Sequence, residues 1–213
     1  MAVGDAYATA ATYRGVTNKD STAEDTEIDA DLLAVTRYLT RRLDQFFTKD
    51  ATVAVRLYDG TGTPRLWLTD HEQVPGISSL TGLIVKVDLN ADYDVTDSGE
   101  TLTVDTHFWA GPQDANLGAE ARPWRYLDLV PGNSVVTIWP NQQRAVQVTA
   151  AFGWPAVPKA IEIGTCHLTA ILRLETARSI TSRSDVGEIL GASREAQGIV
   201  NDLVAQYRKL PTF

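Results

Sequence analysis

The hydrophobic period of this chain changes along its length, and that change limits the possible folds more than any other feature. Apolar residues recur at Ile28, Leu32, Val35, Leu39, Leu43 and Phe46, in steps of 4, 3, 4, 4 and 3. The spacing predicts an amphipathic helix over 22–47, about six turns long, whose stripe must be buried against another element. Thr22 is the expected hydroxyl cap, with Glu24 and Asp25 at the positive end of the helix dipole. A shorter helix is expected over Asp5 to Tyr13, before the polar break at Thr17 to Asp20.

From residue 50 onward the period is two. Val53, Val55 and Leu57 alternate with Ala54, Arg56 and Tyr58, and Asp59-Gly60-Thr61-Gly62 reads as a hairpin turn into Leu66, Trp67 and Leu68. Further strands are expected at Leu83 to Leu89, Thr101 to Val104, His107 to Trp109, Tyr126 to Leu129, Val135 to Ile138 and Ala145 to Phe152. Clusters of Gly, Pro, Asn and Asp separate them, which favours antiparallel pairing through turns.

Pro155 and Pro158 then introduce a second helix running to Ala177, with Ile161, Leu168, Ile171 and Leu172 on its buried side. Arg178 to Ser193 is polar and glycine-bearing and reads as a mobile or partner-ordered connection. A last helix carries Ile199, Val200, Leu203, Val204 and Tyr207 on one side, before the tail Lys209 to Phe213.

The expected fold class is therefore α+β: a helical body formed from both chain ends, with an inserted antiparallel β subdomain. Pairing the 22–47 helix with the 156–177 helix buries both main stripes. The expected divisions are N-terminal helices over 1–49, the β-rich insertion over 50–152, the core helix over 153–178, and a C-terminal connection, helix and tail over 179–213.

With 213 residues, 44% of them hydrophobic, the chain is long enough to bury a sizeable core without staples. Its one cysteine, Cys166, excludes an intrachain disulfide and suits a reducing compartment. The first eleven residues lack the basic flank of a secretory signal, and no apolar stretch is long enough to span a membrane, so synthesis in a cytoplasm is expected. A net charge of −8 argues against binding nucleic acid through its phosphates. Arg37, Arg41 and Arg42 form a local basic stripe on the first long helix, read as a solvated or ion-paired face.

No pattern specifies catalysis or a cofactor. His71, His107 and His167 are scattered, and none stands in a metal-binding helix motif. Cys166 and His167 are adjacent, so on a helix their side chains diverge. Asp88, Asn90 and Asp92 have the first ligand spacings of a calcium loop, but Tyr93 occupies the position that needs glycine and Gly99 the one that needs glutamate. An Asp- and Asn-rich β-turn is the expected outcome. Gly60-Thr61-Gly62 precedes no helix and is no phosphate loop.

Trp67, Trp109, Trp124, Trp139 and Trp154 all fall in or beside the β segment. Core packing is the first reading. A carbohydrate-binding β module with helical flanks is the alternative, which exposed, coplanar Trp side chains on one β face would favour.

The run Ile84-Val85-Lys86-Val87-Asp88, its Asp- and Asn-rich turn, Asn116, Arg122-Pro123 and Tyr126-Leu127-Asp128-Leu129 resemble the inserted β region of head-to-tail connector proteins of long-tailed bacteriophages. Val146-Gln147-Val148-Thr149-Ala150-Ala151-Phe152-Gly153-Trp154-Pro155-Ala156-Val157-Pro158 is similar to the strand-to-helix junction of the same proteins. Val186-Gly187-Glu188 and Leu203-Val204-Ala205-Gln206-Tyr207-Arg208 also look like that family, so the likeness spans residues 22–210. Phe-Gly-Trp-Pro-x-Val-Pro is its most specific piece. The turn after Asp88 departs from the family in lacking glycines.

The resemblance implies a non-enzymatic adaptor in the virion neck, a dodecameric ring docked on the portal protein beneath a stopper or tail-completion protein. Double-stranded DNA would pass through its channel without specific binding, and an acidic wall would repel phosphates. No cofactor and no membrane partner is implied. The candidate portal-docking residues are Tyr207, Arg208, Leu210, Pro211 and Phe213, at the end of the chain; an ordinary helix packed on its own subunit with a frayed end is the alternative reading of this segment. A different neck or tail protein of the virion would share much of this pattern.

Overall fold

A computed structural model describes residues 5–68, 75–97, 99–115, 120–133, 135–178 and 186–208. Those residues form five helices and two antiparallel sheets, an α+β fold. The chain divides into two compact units, Met1–Phe47 with Val157–Phe213, and Thr48–Ala156.

In the first unit, α1 (Ala10–Thr17) starts later than the expected Asp5. Thr9 is extended, and its hydroxyl accepts the Thr12 N–H at 3.2 Å, so the cap sits there. The helix stops where Asn18 turns left-handed at φ 54°.

Helix α2 (Asp25–Leu43) is shorter than the expected 22–47. The backbone carbonyl of Thr22, not its hydroxyl, accepts the Asp25 N–H, and Asp44 ends the helix at φ 55°. Ile28, Leu32, Val35, Leu39 and Leu43 are all buried as the period requires. Past Asp44 the helical register no longer applies, so Phe47 is buried and the expected Phe46 is only half-buried.

Helix α3 (Lys159–Arg178) follows Pro158, whose carbonyl accepts the Glu162 N–H at 3.0 Å. It packs against α1 and α2, burying Ile161, Leu168 and Leu172 and half-burying Ile171. The pairing of the two long amphipathic helices is thus observed. Helix α4 (Val186–Ala192) lies within the stretch expected to be a mobile or partner-ordered connection, and packs on its own unit with Leu190 buried; residues 179–185 lie outside the described residues. Helix α5 (Arg194–Tyr207) packs on α2, α3 and α4.

The second unit holds β1 (Ala54–Tyr58), β2 (Arg65–Trp67), β3 (Ile77–Val87), β4 (Thr101–Leu102), β5 (Phe108–Gly111), β6 (Tyr126–Leu129) and β7 (Val146–Phe152). One sheet has the order β1-β7-β3-β4 and the other β2-β6-β5. Both contribute to one core, including Val85, Val146, Val148 and Phe152 from the first and Leu66, Phe108 and Leu127 from the second.

Two strand expectations need correction. The Asp59–Gly62 run is not a hairpin turn, because β1 pairs with β7 while β2 pairs with β6. It lies instead against the 139–142 turn, with Gly60 N–H donating to the Gln142 carbonyl at 2.8 Å. A Cβ on Gly60 would stand 1.6 Å from the Pro140 carbonyl oxygen, which explains the glycine. Val135 to Ile138 is not a strand either. The Asn133 side-chain oxygen accepts the N–H groups of Val135 and Val136, at 3.0 and 2.9 Å, and closes an Asx turn there.

Candidate functional site

The C-terminal helix is built to stay on its own unit as far as Tyr207. Ser193 caps α5, its hydroxyl accepting the Ala196 N–H at 3.3 Å. Val200, Leu203 and Tyr207 then recur on one face and are buried. Gly164 of α3 admits this face, since a Cβ there would meet Leu203 Cδ1 at 2.9 Å.

Tyr207 is 8% exposed. Its ring stands edge-on to Phe47, centroids 5.6 Å apart, and Phe47 stands edge-on to Tyr7 at 5.5 Å. The Gln45 side-chain amide donates to the Tyr207 carbonyl. Tyr7 hydroxyl lies 2.5 Å from that of Thr40, and burial pushes the Tyr7 phenol above its ordinary pKa. Tyr207 is therefore a core anchor. Arg208 is exposed and caps the helix, its N–H donating to the Val204 carbonyl at 3.1 Å. Leu210, Pro211 and Phe213 lie outside the described residues.

The residues weighed for chemistry are kept apart. Cys166 is fully buried, and desolvation, with Glu162 nearby, pushes its thiol up to about 11. The adjacent His167 is exposed, as expected for neighbours on a helix. His107 Nδ1 accepts the Thr103 N–H at 2.8 Å, and His71 lies outside the described residues. Among the described residues no three His, Cys, Asp or Glu side chains group as metal ligands. None of the described helices is long and apolar enough to cross a membrane.

Asp88 organises the acidic turn that resembled a calcium loop. Its carboxylate accepts the Ala91 and Tyr93 N–H groups at 2.7 and 2.8 Å and the Gln142 amide at 2.8 Å. Burial works to raise its pKa, but the bonds from Tyr93, Ala91 and Gln142 outweigh it and hold the carboxyl below its ordinary value. Glu100, also buried, accepts the N–H groups of Leu89 and Asp97 at 3.1 Å each. These two carboxylates hold up a loop on which Asp92, Asp94 and Asp97 are exposed and Tyr93 is 77% exposed.

Trp124, Trp139 and Trp154 are buried, so most of the tryptophans serve the core. Trp67 and Trp109 lie on the outer face of the β2-β6-β5 sheet, Trp109 at 38% exposure. Trp67 meets the Tyr126 ring at an interplanar angle of 66°, with Arg65 packed 4.0 Å above Tyr126 and paired with Asp128 at 2.7 Å. That steep angle gives no flat platform for a sugar ring.

The outward face of β1 was not legible from alternation. Ala54 and Tyr58 pack toward the core, whereas Val53 and Val55 are exposed, Val55 at 60%. Arg56 lies 4.1 Å over the Phe152 ring and pairs with Asp50 at 2.9 Å. On α2, Arg37, Arg41 and Arg42 are exposed and form no ion pair among the described residues; Arg42 lies 5.9 Å from the Tyr38 ring centre.

Scanned against protein-family models and against curated proteins, the sequence matches none. Among solved structures the chain is similar to a protein described as "Neck of empty GTA particle computed with C6 symmetry". That alignment covers 96% of this chain and 90% of the other, at 15% identity and a TM-score of 0.46.

Proposed function

We propose that this chain is a non-enzymatic head-to-tail connector of a long-tailed bacteriophage, a neck subunit that forms a ring on the portal and passes DNA to a stopper or tail-completion protein. The observation that carries this reading is the junction at 152–158. The segment that most specifically resembles the connector family at a strand-to-helix junction runs from the end of β7 to the start of α3.

The residues of that junction have physical reasons for their places. Phe152 and Trp154 are buried, and Gly153 lies between them at φ 110°. A Cβ on Gly153 would sit 2.2 Å from the Thr48 carbonyl oxygen, and its N–H donates to the Gly76 carbonyl at 2.9 Å. Pro158 then precedes the first turn of α3, a position where its missing N–H costs no helical bond. The α+β architecture, with helices drawn from both chain ends, is compatible with this reading.

In this proposal the helical unit and the β unit supply the two unlike faces that a closed ring requires. Portal docking falls to Arg208 and the residues after it, because Tyr207 is committed to the core. Gradient sedimentation of the chain mixed with portal particles tests the reading: co-sedimentation supports it, and full separation counts against it.

A further inference from the structure

We propose that the arginine face of α2 on one copy receives the 92–97 acidic loop of the next copy, giving the ring reading a specific head-to-tail contact. The inference rests on that reading for its geometry and on charge complementarity for its partner.

The arginine face has no evident use within the described chain. Arg37 and Arg41 are one helical turn apart, where like charges repel. Arg41 and Arg42 lie in the last turn of α2 and favour the negative end of the helix dipole, but Arg37 lies before that turn and gains little. No acidic partner among the described residues neutralises any of the three, although the chain carries 27 Asp and Glu against 19 Lys and Arg. Isolated arginines packed together in an acidic molecule are a surface complementary to other copies of that molecule.

The loop is the matching surface. Asp92, Asp94 and Asp97 are exposed, and among the described residues their hydrogen bonds come from neutral donors, Asn90, Thr96 and backbone N–H groups. Their charges therefore remain unpaired by any described cation. Asp88 and Glu100 fix the loop from beneath, so little ordering entropy remains to be lost on contact. Tyr93 projects among the aspartates and adds an aromatic ring of the kind that packs on guanidinium groups. The two surfaces are distinct patches on different units of the chain, so on the ring reading the contact is heterologous and repeats from copy to copy.

The test uses two full-length variants, R37E/R41E/R42E and D92K/D94K/D97K. Each alone places like charges at every junction, whereas an equal mixture makes every junction complementary when the two alternate. Contact is read by a disulfide trap, with R41C and D94C on separate chains. Cys166, buried and with its thiol raised, does not compete. In the native background the R41C–D94C heterodimer should exceed either homodimer by about tenfold. R37E/R42E, or D92K/D97K, added to both trap chains should abolish the excess, and R37E/R42E on the chain bearing R41C with D92K/D97K on the chain bearing D94C should restore it.

No heterodimer excess at high protein concentration overturns the proposal, as does an excess that survives single reversal. Ring formation on portal particles by the charge-reversed chains would also overturn this contact while leaving the ring reading intact. Selective trapping with native chains that add no ring to portal particles would uphold the contact and reject the ring. Competition of the trap by double-stranded DNA fragments, lost with R37E/R41E/R42E, would assign the arginine face to phosphate and reject the acidic loop as its partner.

Discussion

Arg173 of α3 donates through Nη1 to Asp31 of α2 at 2.9 Å, and through Nη2 to Glu24 at 2.5 Å. Residues 142 positions apart are thereby joined, and both helices come from opposite ends of the chain. Burial works to lower the Arg173 pKa, but its bond to Asp31 and the nearby carboxylates raise it overall. Asp31 is itself a buried carboxylate, so removing the guanidinium takes away its charged partner on α3. Arg173→Ala should destabilise the helical unit by about 3 kcal/mol, measured by denaturant unfolding. Arg173→Lys, which keeps the charge but not the fork, should lose less.

Gly153 cannot be replaced quietly. Its positive φ and the approach of the Thr48 carbonyl both exclude a side chain. Gly153→Ala should cost about 3 kcal/mol or more, because strain and a backbone clash combine. Gly99 also has a positive φ, but a Cβ there meets nothing within 4 Å. Gly99→Ala should therefore cost clearly less, and equal losses at the two positions would show that close approach does not matter.

Asp88 gives the β unit an acid dependence with a definite sign. Its folded pKa lies below its unfolded one, so the stabilisation is complete above the ordinary carboxylate value of about 3.9. It is lost as pH falls from there through the lower folded value. The stability gap between the native chain and Asp88→Asn should be widest near neutrality and should shrink through that acid range. A gap independent of pH would contradict the bonding described for the carboxylate.

Cys166 should resist thiol reagents while the chain is folded. Its burial and raised pKa leave almost no accessible thiolate at neutral pH. Labelling should be at least about a hundredfold slower than in denaturant, where the thiol returns to an ordinary cysteine value. Fast labelling of the native chain would show that α3 opens away from its neighbours.

Much of this architecture was legible because hydrophobic period survives in sequence. The stripe Ile28, Leu32, Val35, Leu39 and Leu43 identified α2 and its buried face, and Tyr126–Leu129 was located to the residue. Ends were less legible, because Asp44 and Asn18 terminate their helices in left-handed conformations that many residues can decline to adopt. Sheet partners were illegible as well. The Asp59–Gly62 run has hairpin composition, yet β1 finds β7 and β2 finds β6 through long-range packing. Helix α4 was missed because Gly187 and Gly191 hide the spacing of Val186, Ile189 and Leu190. At the candidate docking end, helical spacing placed Tyr207 on the apolar face of α5, and only its contacts with Phe47 and Gln45 show it committed to the core.

The placement of Tyr207 also fixes where a truncation must fall. A chain ending before Gln206 loses the Tyr207 anchor and with it part of the helical core. Ending the chain after Arg208 spares both. That truncation should keep native unfolding behaviour, within about 0.5 kcal/mol, and lose binding to portal particles. Binding that persists would move the docking site elsewhere.

Negative-stain imaging of the chain mixed with portal particles tests the connector reading most directly. The predicted result is an added ring of density at the narrow end of the portal, coaxial with its channel. Portal particles that gain no density under saturating amounts of the chain would contradict it.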